Sequence, residues 1–145
     1  MVFSYDADGL RTSKNVNGKK TEYYYDDSGR LVLMTDGTDT LQFGYNIVTG
    51  GLEGFTYNGT KYVYVYNTRG DVIGLYQIFG AQTDFLVSYD YDAWGNLISI
   101  TDFQGNDLTN NTTSTLGKLA HLNPFRYRGY FYDTETGLYF LQSRY

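Results

Sequence analysis

Catalysis by paired carboxylates needs two acids held close together, in environments that split their pKa values. Asp6/Asp8, Asp26/Asp27, Asp90/Asp92 and Asp133/Glu135 are the candidate pairs. Each falls in or beside a recurring phrase, and a feature that recurs along a chain reads as a turn device rather than as one active site. Asp6-Ala7-Asp8-Gly9 has a faint likeness to a calcium loop, but the twelfth position, where a bidentate Glu is wanted, is Asn17. His121 is the single histidine, so a His-based metal site or proton relay lacks a second member; it is expected to pack beside Pro124. Ser4, Ser13, Ser28, Ser88, Ser99, Ser114 and Ser143 sit in no nucleophile-elbow phrase, and Gly50-Gly51 and Gly54 build no phosphate loop. Cysteine is absent, which excludes disulfides and thiolate metal sites. The sequence therefore assigns no catalytic, metal or cofactor residue, and the chain is expected not to be an enzyme.

Binding chemistry is sparser still. Arg126, Arg128 and Arg144 are the one basic cluster, interleaved with Tyr127, Tyr130 and Tyr145, as in an RNA-stacking platform. The net charge of -5 argues the other way, since nucleic acid wants a basic face. These arginines are expected to stack on tyrosine rings and pair with Asp or Glu, closing the last strands. Trp94 falls in a turn, where an exposed ring could stack on the apolar face of a sugar. A carbohydrate-binding or adhesion module therefore stays open as the alternative to a structural scaffold. Asn58, Asn110 and Asn111 each open an Asn-x-Ser/Thr sequon, relevant only in a eukaryotic secretory pathway.

The elements that position these residues announce themselves by repetition. Tyr-Asp-x-x-Gly recurs as Tyr5-Asp6-Ala7-Asp8-Gly9, Tyr25-Asp26-Asp27-Ser28-Gly29, Tyr66-Asn67-Thr68-Arg69-Gly70 and Tyr91-Asp92-Ala93-Trp94-Gly95. Tyr132-Asp133-Thr134-Glu135-Thr136-Gly137 is a stretched copy, and Tyr45-Asn46-Ile47-Val48-Thr49-Gly50 a worn one. The physical reading is that Tyr ends a strand, Asp or Asn accepts backbone N–H groups in the turn, and Gly takes a positive φ. Asn17-Gly18 and Asn58-Gly59 supply hairpin turns between the phrases. Tyr62, Tyr64 and Tyr66 alternate with Val63 and Val65, and Phe85, Val87, Tyr89 and Tyr91 are expected to share one face of a strand. Leu31 with Leu33, and Phe43 with Tyr45, follow the same period.

With 145 residues there is room for about one domain. An aromatic share of 19% excludes a disordered chain, and 17 Gly with 17 Tyr and little Ala exclude a helical bundle. No apolar run is long enough to span a membrane as a helix, and the N-terminal residues lack a signal-peptide pattern. The expected fold is all-β: an antiparallel β-meander of about 10–14 strands, twisted and curled into a strip or partial barrel, because sheets that large do not stay flat. Residues 1–103 are expected to form the repeat sheet, 104–122 a polar insertion with a short helical turn near Thr115–Ala120, and 123–145 a closing motif, together making one structural unit.

That closing run, Asn123-Pro124-Phe125-Arg126-Tyr127-Arg128-Gly129-Tyr130-Phe131-Tyr132-Asp133-Thr134-Glu135-Thr136-Gly137-Leu138-Tyr139-Phe140-Leu141-Gln142-Ser143-Arg144-Tyr145, resembles the Rhs-repeat core motif. Its marker residues are Pro124, Arg126, Tyr127, Gly129, Leu138, Tyr139, Gln142 and Arg144, and the upstream phrases are similar to YD repeats. The family also includes teneurins and the Tc toxin C component. The resemblance implies a shell segment, part of a longer secreted or cell-surface bacterial protein, that helps to encapsulate a C-terminal toxin domain. It also implies that the family's self-cleaving aspartyl protease residues would lie beyond Tyr145. Expected partners are the remainder of that polypeptide, its toxin domain and a further copy of this chain, with a glycan under the alternative reading. Both ends fall within strands, so exposed edges are expected to make the chain by itself a dimer or higher oligomer.

Overall fold

A computed structural model describes residues 1–79 and 81–140. Ten strands run in chain order, each hydrogen-bonded antiparallel to its neighbours: β1 (Val2–Tyr5), β2 (Arg11–Val16), β3 (Lys19–Tyr25), β4 (Leu31–Thr35), β5 (Thr40–Tyr45), β6 (Leu52–Tyr57), β7 (Thr60–Tyr66), β8 (Val72–Phe79), β9 (Gln82–Tyr91) and β10 (Leu97–Asp102). The helix α1 (Thr115–Leu122), a 3-10 turn (Tyr127–Gly129) and the hairpin of β11 (Phe131–Asp133) and β12 (Leu138–Phe140) follow. The architecture is the expected all-β meander. By internal packing the chain divides into two compact units, the first ending at Tyr62 and the second beginning at Val63.

In the first unit the side-chain alternation is strict on β5. Leu41 and Phe43 are buried while Thr40, Gln42 and Gly44 face solvent. Phe43 stands opposite Phe55 on β6, with ring centroids 6.2 Å apart, and Phe55 meets Tyr62 at 5.4 Å. Arg11 is 4% exposed; its guanidinium carbon lies 4.2 Å from the Phe3 ring centroid, so the charge is carried into the core against an aromatic face.

The second unit buries Val72, Leu75, Val87, Tyr89 and Ile100; α1 packs on β9, where Tyr89 Oη donates to the Ala120 carbonyl, and its Leu119 and Ala120 are buried. Ser114 caps the helix by accepting the Gly117 N–H at 3.1 Å, satisfying one of the free donors of the first turn. The helix runs to Leu122, past the short turn expected at Thr115–Ala120. Gly117 has a steric reason: a Cβ there would sit 2.3 Å from the Asn111 carbonyl oxygen.

The period-two reading of β9 needs correction. The pairing with β8 steps from Leu75↔Val87 to Tyr76↔Phe85, so Leu86 is a bulge. A bulge moves every residue beyond it to the other face. Leu86 and Val87 are consecutively buried, and Phe85, expected beside Val87, is 38% exposed. The same step follows four Tyr-Asp-type turns, at Thr12, Val32, Glu53 and Ile98 in the returning strand. Leu31 and Leu33 therefore do not share a simple alternating face.

Candidate functional site

The repeated carboxylates are built into turns. In each, the Asp or Asn N–H donates to the carbonyl four residues on, and the Gly N–H donates back to the Asp or Asn carbonyl: Asp6/Leu10, Asp26/Arg30, Asn67/Asp71 and Asp92/Asn96. The side-chain Oδ1 then accepts two further N–H groups. Asp6 takes those of Asp8 and Leu10, Asp26 those of Ser28 and Arg30, Asn67 those of Arg69 and Asp71, and Asp92 those of Trp94 and Asn96, all at 2.8–3.0 Å. Gly9, Gly29, Gly70, Gly95 and Gly137 all have φ between +69° and +90°. Asn46 sits in a turn one residue longer, accepting from Val48 and Thr49. At the stretched copy, Gly137 N–H donates to the Asp133 carbonyl at 2.9 Å. Asp102-Phe103-Gln104-Gly105-Asn106 is a further copy with the same bonds. The sequence reading missed it because Thr101 stands where the phrase has Tyr; the Asp-x-x-Gly spacing was the available signal.

This geometry works against acid–base chemistry. The Arg30 backbone N–H holds the Asp26 carboxyl below its usual range, and the carboxamides of Asn96 and Asn106 do the same for Asp92 and Asp102. A general acid at neutral pH needs the opposite shift. Among the described residues no three His, Cys, Asp or Glu side chains converge to hold a metal ion.

The phrase's tyrosines have a different task. Tyr45 Oη donates to the Leu31 carbonyl at 2.7 Å, and Tyr91 Oη to the Val72 carbonyl at 2.6 Å. Leu31 and Val72 each open the returning strand of the preceding repeat. A bulge disturbs the ladder locally and leaves a carbonyl there in need of a donor. The Tyr45 hydroxyl supplies it next to the Val32 bulge, while Arg30 lies over the Tyr45 ring at 4.6 Å. Burial pushes the Tyr91 hydroxyl well above its ordinary pKa, which keeps the donor protonated. Tyr5 and Tyr66 remain 51% and 38% exposed; Tyr25 is half-buried.

The closing motif is anchored at two polar nodes inside the second unit. Asn123 is fully buried at the end of α1. Its Oδ1 accepts from Tyr64 Oη at 2.6 Å and from the Phe125 N–H at 3.2 Å; its Nδ2 donates to the Phe125 carbonyl at 2.9 Å and to Tyr89 Oη at 3.3 Å. Both lone pairs and both protons of the amide are used, as burial demands. Arg126 donates to the carbonyls of Asn123 and His121 and stacks over Tyr132 at 4.7 Å. The expected stacking is present, and among the described residues Arg126 bonds backbone carbonyls rather than a carboxylate. Buried Pro124 presents its carbonyl to the Tyr132 N–H at 2.7 Å. His121 makes a ring-nitrogen contact of 2.9 Å to the Leu108 carbonyl.

The second node is Asp71, also fully buried. Asn67 Nδ2 donates to it at 2.8 Å, Arg69 pairs with it at 3.2 Å, and the Arg128 N–H donates to Oδ1 at 2.9 Å. Arg128 has φ +54°, uncommon for a non-glycine residue, and is followed by Gly129 at +71°. The Val72 N–H donates to the Arg126 carbonyl at 3.0 Å, so the motif adds backbone pairing to the same turn. Tyr127 lies on Gly95: a Cβ there would meet its ring at 2.4 Å. Tyr139 Oη reaches the Gly95 carbonyl at 3.2 Å, while Leu138 is exposed. Gln142 and Arg144 lie outside the described residues. Trp94 is 83% exposed at the turn tip.

These features define a class: a β-meander of bulged hairpins with Asp-capped, Gly-closed turns, finished by an aromatic segment pinned to two of them. The RHS Repeat family model matches residues 5–41 and 66–107, and the chain belongs to that family. Three relatives are each 39% identical over 146 residues, covering 99% of this chain: "tRNA3(Ser)-specific nuclease WapA" of Bacillus spizizenii, "tRNA nuclease WapA" of Bacillus subtilis and "tRNA(Glu)-specific nuclease WapA" of Bacillus subtilis subsp. natto. The chain spans 6% of the length of each. Among solved structures, the Photorhabdus luminescens Tc holotoxin pore aligns with 96% of this chain and 9% of its own, at 14% identity and a TM-score of 0.39.

Proposed function

We propose that this chain is a non-catalytic shell segment of an Rhs-type toxin protein, in which repeat strands and core motif together form wall around a C-terminal cargo polypeptide. The observation that carries this reading is the anchoring of the motif: Asn123 and Asp71 are fully buried, and each is bonded to residues of both the motif and the repeat strands or turns. Buried polar groups held this way specify one arrangement of the backbone. Such a segment is suited to being wall. The 39% identity to proteins named as nucleases supports placement in a toxin-bearing polypeptide, and hence a secreted or cell-surface location. In this reading residues 1–103, 104–122 and 123–145 act as repeat sheet, insertion and motif of one structural unit. Contacts with neighbouring repeats, cargo or a further copy of the chain use the sheet's faces and edges.

The test is limited proteolysis of a longer polypeptide carrying these repeats and a toxin domain. The cargo should resist digestion when the repeats are intact and become cleavable after Asn123→Ala. Equal digestion of the cargo with and without intact repeats would refute encapsulation.

Trp94 favours a second reading, in which the exposed ring stacks on a sugar beside the polar turn of Asp92 and Asn96. Binding on a glycan array that disappears in Trp94→Ala would support it.

A further inference from the structure

Two exposed turns of the first unit carry the same dipeptide in nearly the same backbone conformation. Asn17-Gly18 has φ of +53° and +85°, and Asn58-Gly59 has +52° and +77°. In an Asn-Gly pair no side chain shields the following amide, so its nitrogen can reach the asparagine carboxamide carbon, a route that makes Asn a heat-labile residue. The two sites nonetheless differ in one contact. Gly18 N–H donates to Asn15 Oδ1 at 3.0 Å, whereas Gly59 N–H donates to no side chain among the described residues. The attacking nitrogen is tied down at the first turn and not at the second.

We infer that Asn58 is a site of spontaneous, charge-forming backbone modification, and that Asn17 is protected from it by Asn15. The Gly59 nitrogen attacks Asn58 Cγ and forms a C–N bond. The bond from Cγ to the side-chain nitrogen breaks, and ammonia leaves with the proton given up by the Gly59 amide. The resulting five-membered imide takes up one water at either carbonyl, giving Asp or isoaspartate at position 58. No oxidant or other co-reactant is involved. The modification has a local consequence in the first unit. Asn58 and Gly59 line an open groove of about 270 Å³ with Thr38, Thr40, Gln42 and Thr56, all uncharged. Modification places a carboxylate in that wall. The isoaspartate product also adds a methylene to the backbone of a two-residue turn, beside the Leu41↔Tyr57 pair of β5 and β6.

The experiment ages the intact, folded chain in mildly alkaline buffer and follows both sites by peptide mapping, with isoaspartyl methyltransferase labelling to reveal the rearranged product. The denatured chain serves as reference. The Asn58 peptide should convert several-fold faster than the Asn17 peptide when folded, and the two should convert at similar rates when denatured. Asn15→Ala should bring the Asn17 rate toward that of Asn58. The inference is overturned if Asn17 converts as fast as Asn58 in the folded wild-type chain, or if Asn58 stays intact while the denatured chain converts. The wild-type comparison holds within one molecule, so it does not depend on how well the variant folds.

Discussion

Gly70 and Gly95 occupy the same place in two turns of the second unit, capped by Asn67 and Asp92 respectively, with φ of +85° and +90°. They differ in what lies beside them. A Cβ on Gly70 would meet nothing within 4 Å, whereas one on Gly95 would lie 2.4, 2.6 and 2.8 Å from three ring atoms of Tyr127. Gly→Ala at a left-handed position costs about 1–2 kcal/mol, offset in part by about 0.4–1 kcal/mol of unfolded-state entropy, so Gly70→Ala should cost about 1 kcal/mol. Forcing an extra methyl into a packed contact adds about 1–3 kcal/mol, which brings Gly95→Ala to about 2–4 kcal/mol. Urea titration followed by circular dichroism should therefore separate the variants by about 1 M in midpoint, for slopes of ~1–3 kcal/mol/M. In a Tyr127→Leu background the extra cost of Gly95→Ala should shrink toward that of Gly70→Ala, as residues in contact are non-additive. Equal costs for the two glycines in the wild-type background would refute the packing of the motif on this turn.

Three further outcomes follow from the same structure. Asn123→Ala should destabilise the second unit by about 2–4 kcal/mol in the same titration, because Tyr64, Tyr89 and the Phe125 backbone lose buried partners together. Tyr91→Phe and Tyr45→Phe should each cost about 1 kcal/mol, since each leaves one strand-opening carbonyl without its hydroxyl donor. The pH profile should fall at both ends. The folded carboxyls of Asp26, Asp92 and Asp102 are depressed below the unfolded value of 3.8, so their contribution is present above it and is lost as pH falls through the lower folded values. The folded hydroxyls of Tyr89 and Tyr91 are raised by burial above the unfolded 10.0, so their contribution is intact below pH 10 and fades as pH rises beyond it. Melting temperature against pH checks both limbs, and a curve still rising above pH 10 would contradict the second.

The turns were legible because their chemistry is local: Asp, the intervening residues and Gly lie within one short phrase, and the bonds they make close inside it. The phrase without its tyrosine, at Asp102, was hidden for the converse reason: its turn bonds are intact, but Thr101 breaks the pattern the eye follows. Bulges were not legible. No residue type marks Thr12, Val32, Glu53 or Ile98 as the skipped position, and one skipped residue reverses the face of all that follows, as Phe85 shows on β9. The motif was recognisable as a run, yet its anchors lie far away in sequence. Tyr64 and Asn123 are 59 residues apart, and Arg128 and Asp71 are 57 apart. Asp71 reads as an ordinary turn residue until the fold buries it. Only the topology brings such pairs together.

Residues 123–133 belong to the folded body of the second unit rather than trailing from it. Native-state hydrogen exchange on the intact chain tests this directly. The amides of Val72, Arg126, Arg128 and Tyr132, all donors in the anchoring bonds or in the motif's own backbone pairing, should exchange as slowly as those of the β8–β9 ladder. Asn123→Ala should speed the motif amides more than those of β8 and β9. Fast exchange at Arg126, Arg128 and Tyr132 in the wild-type chain, beside a protected β8–β9 ladder, would contradict the account.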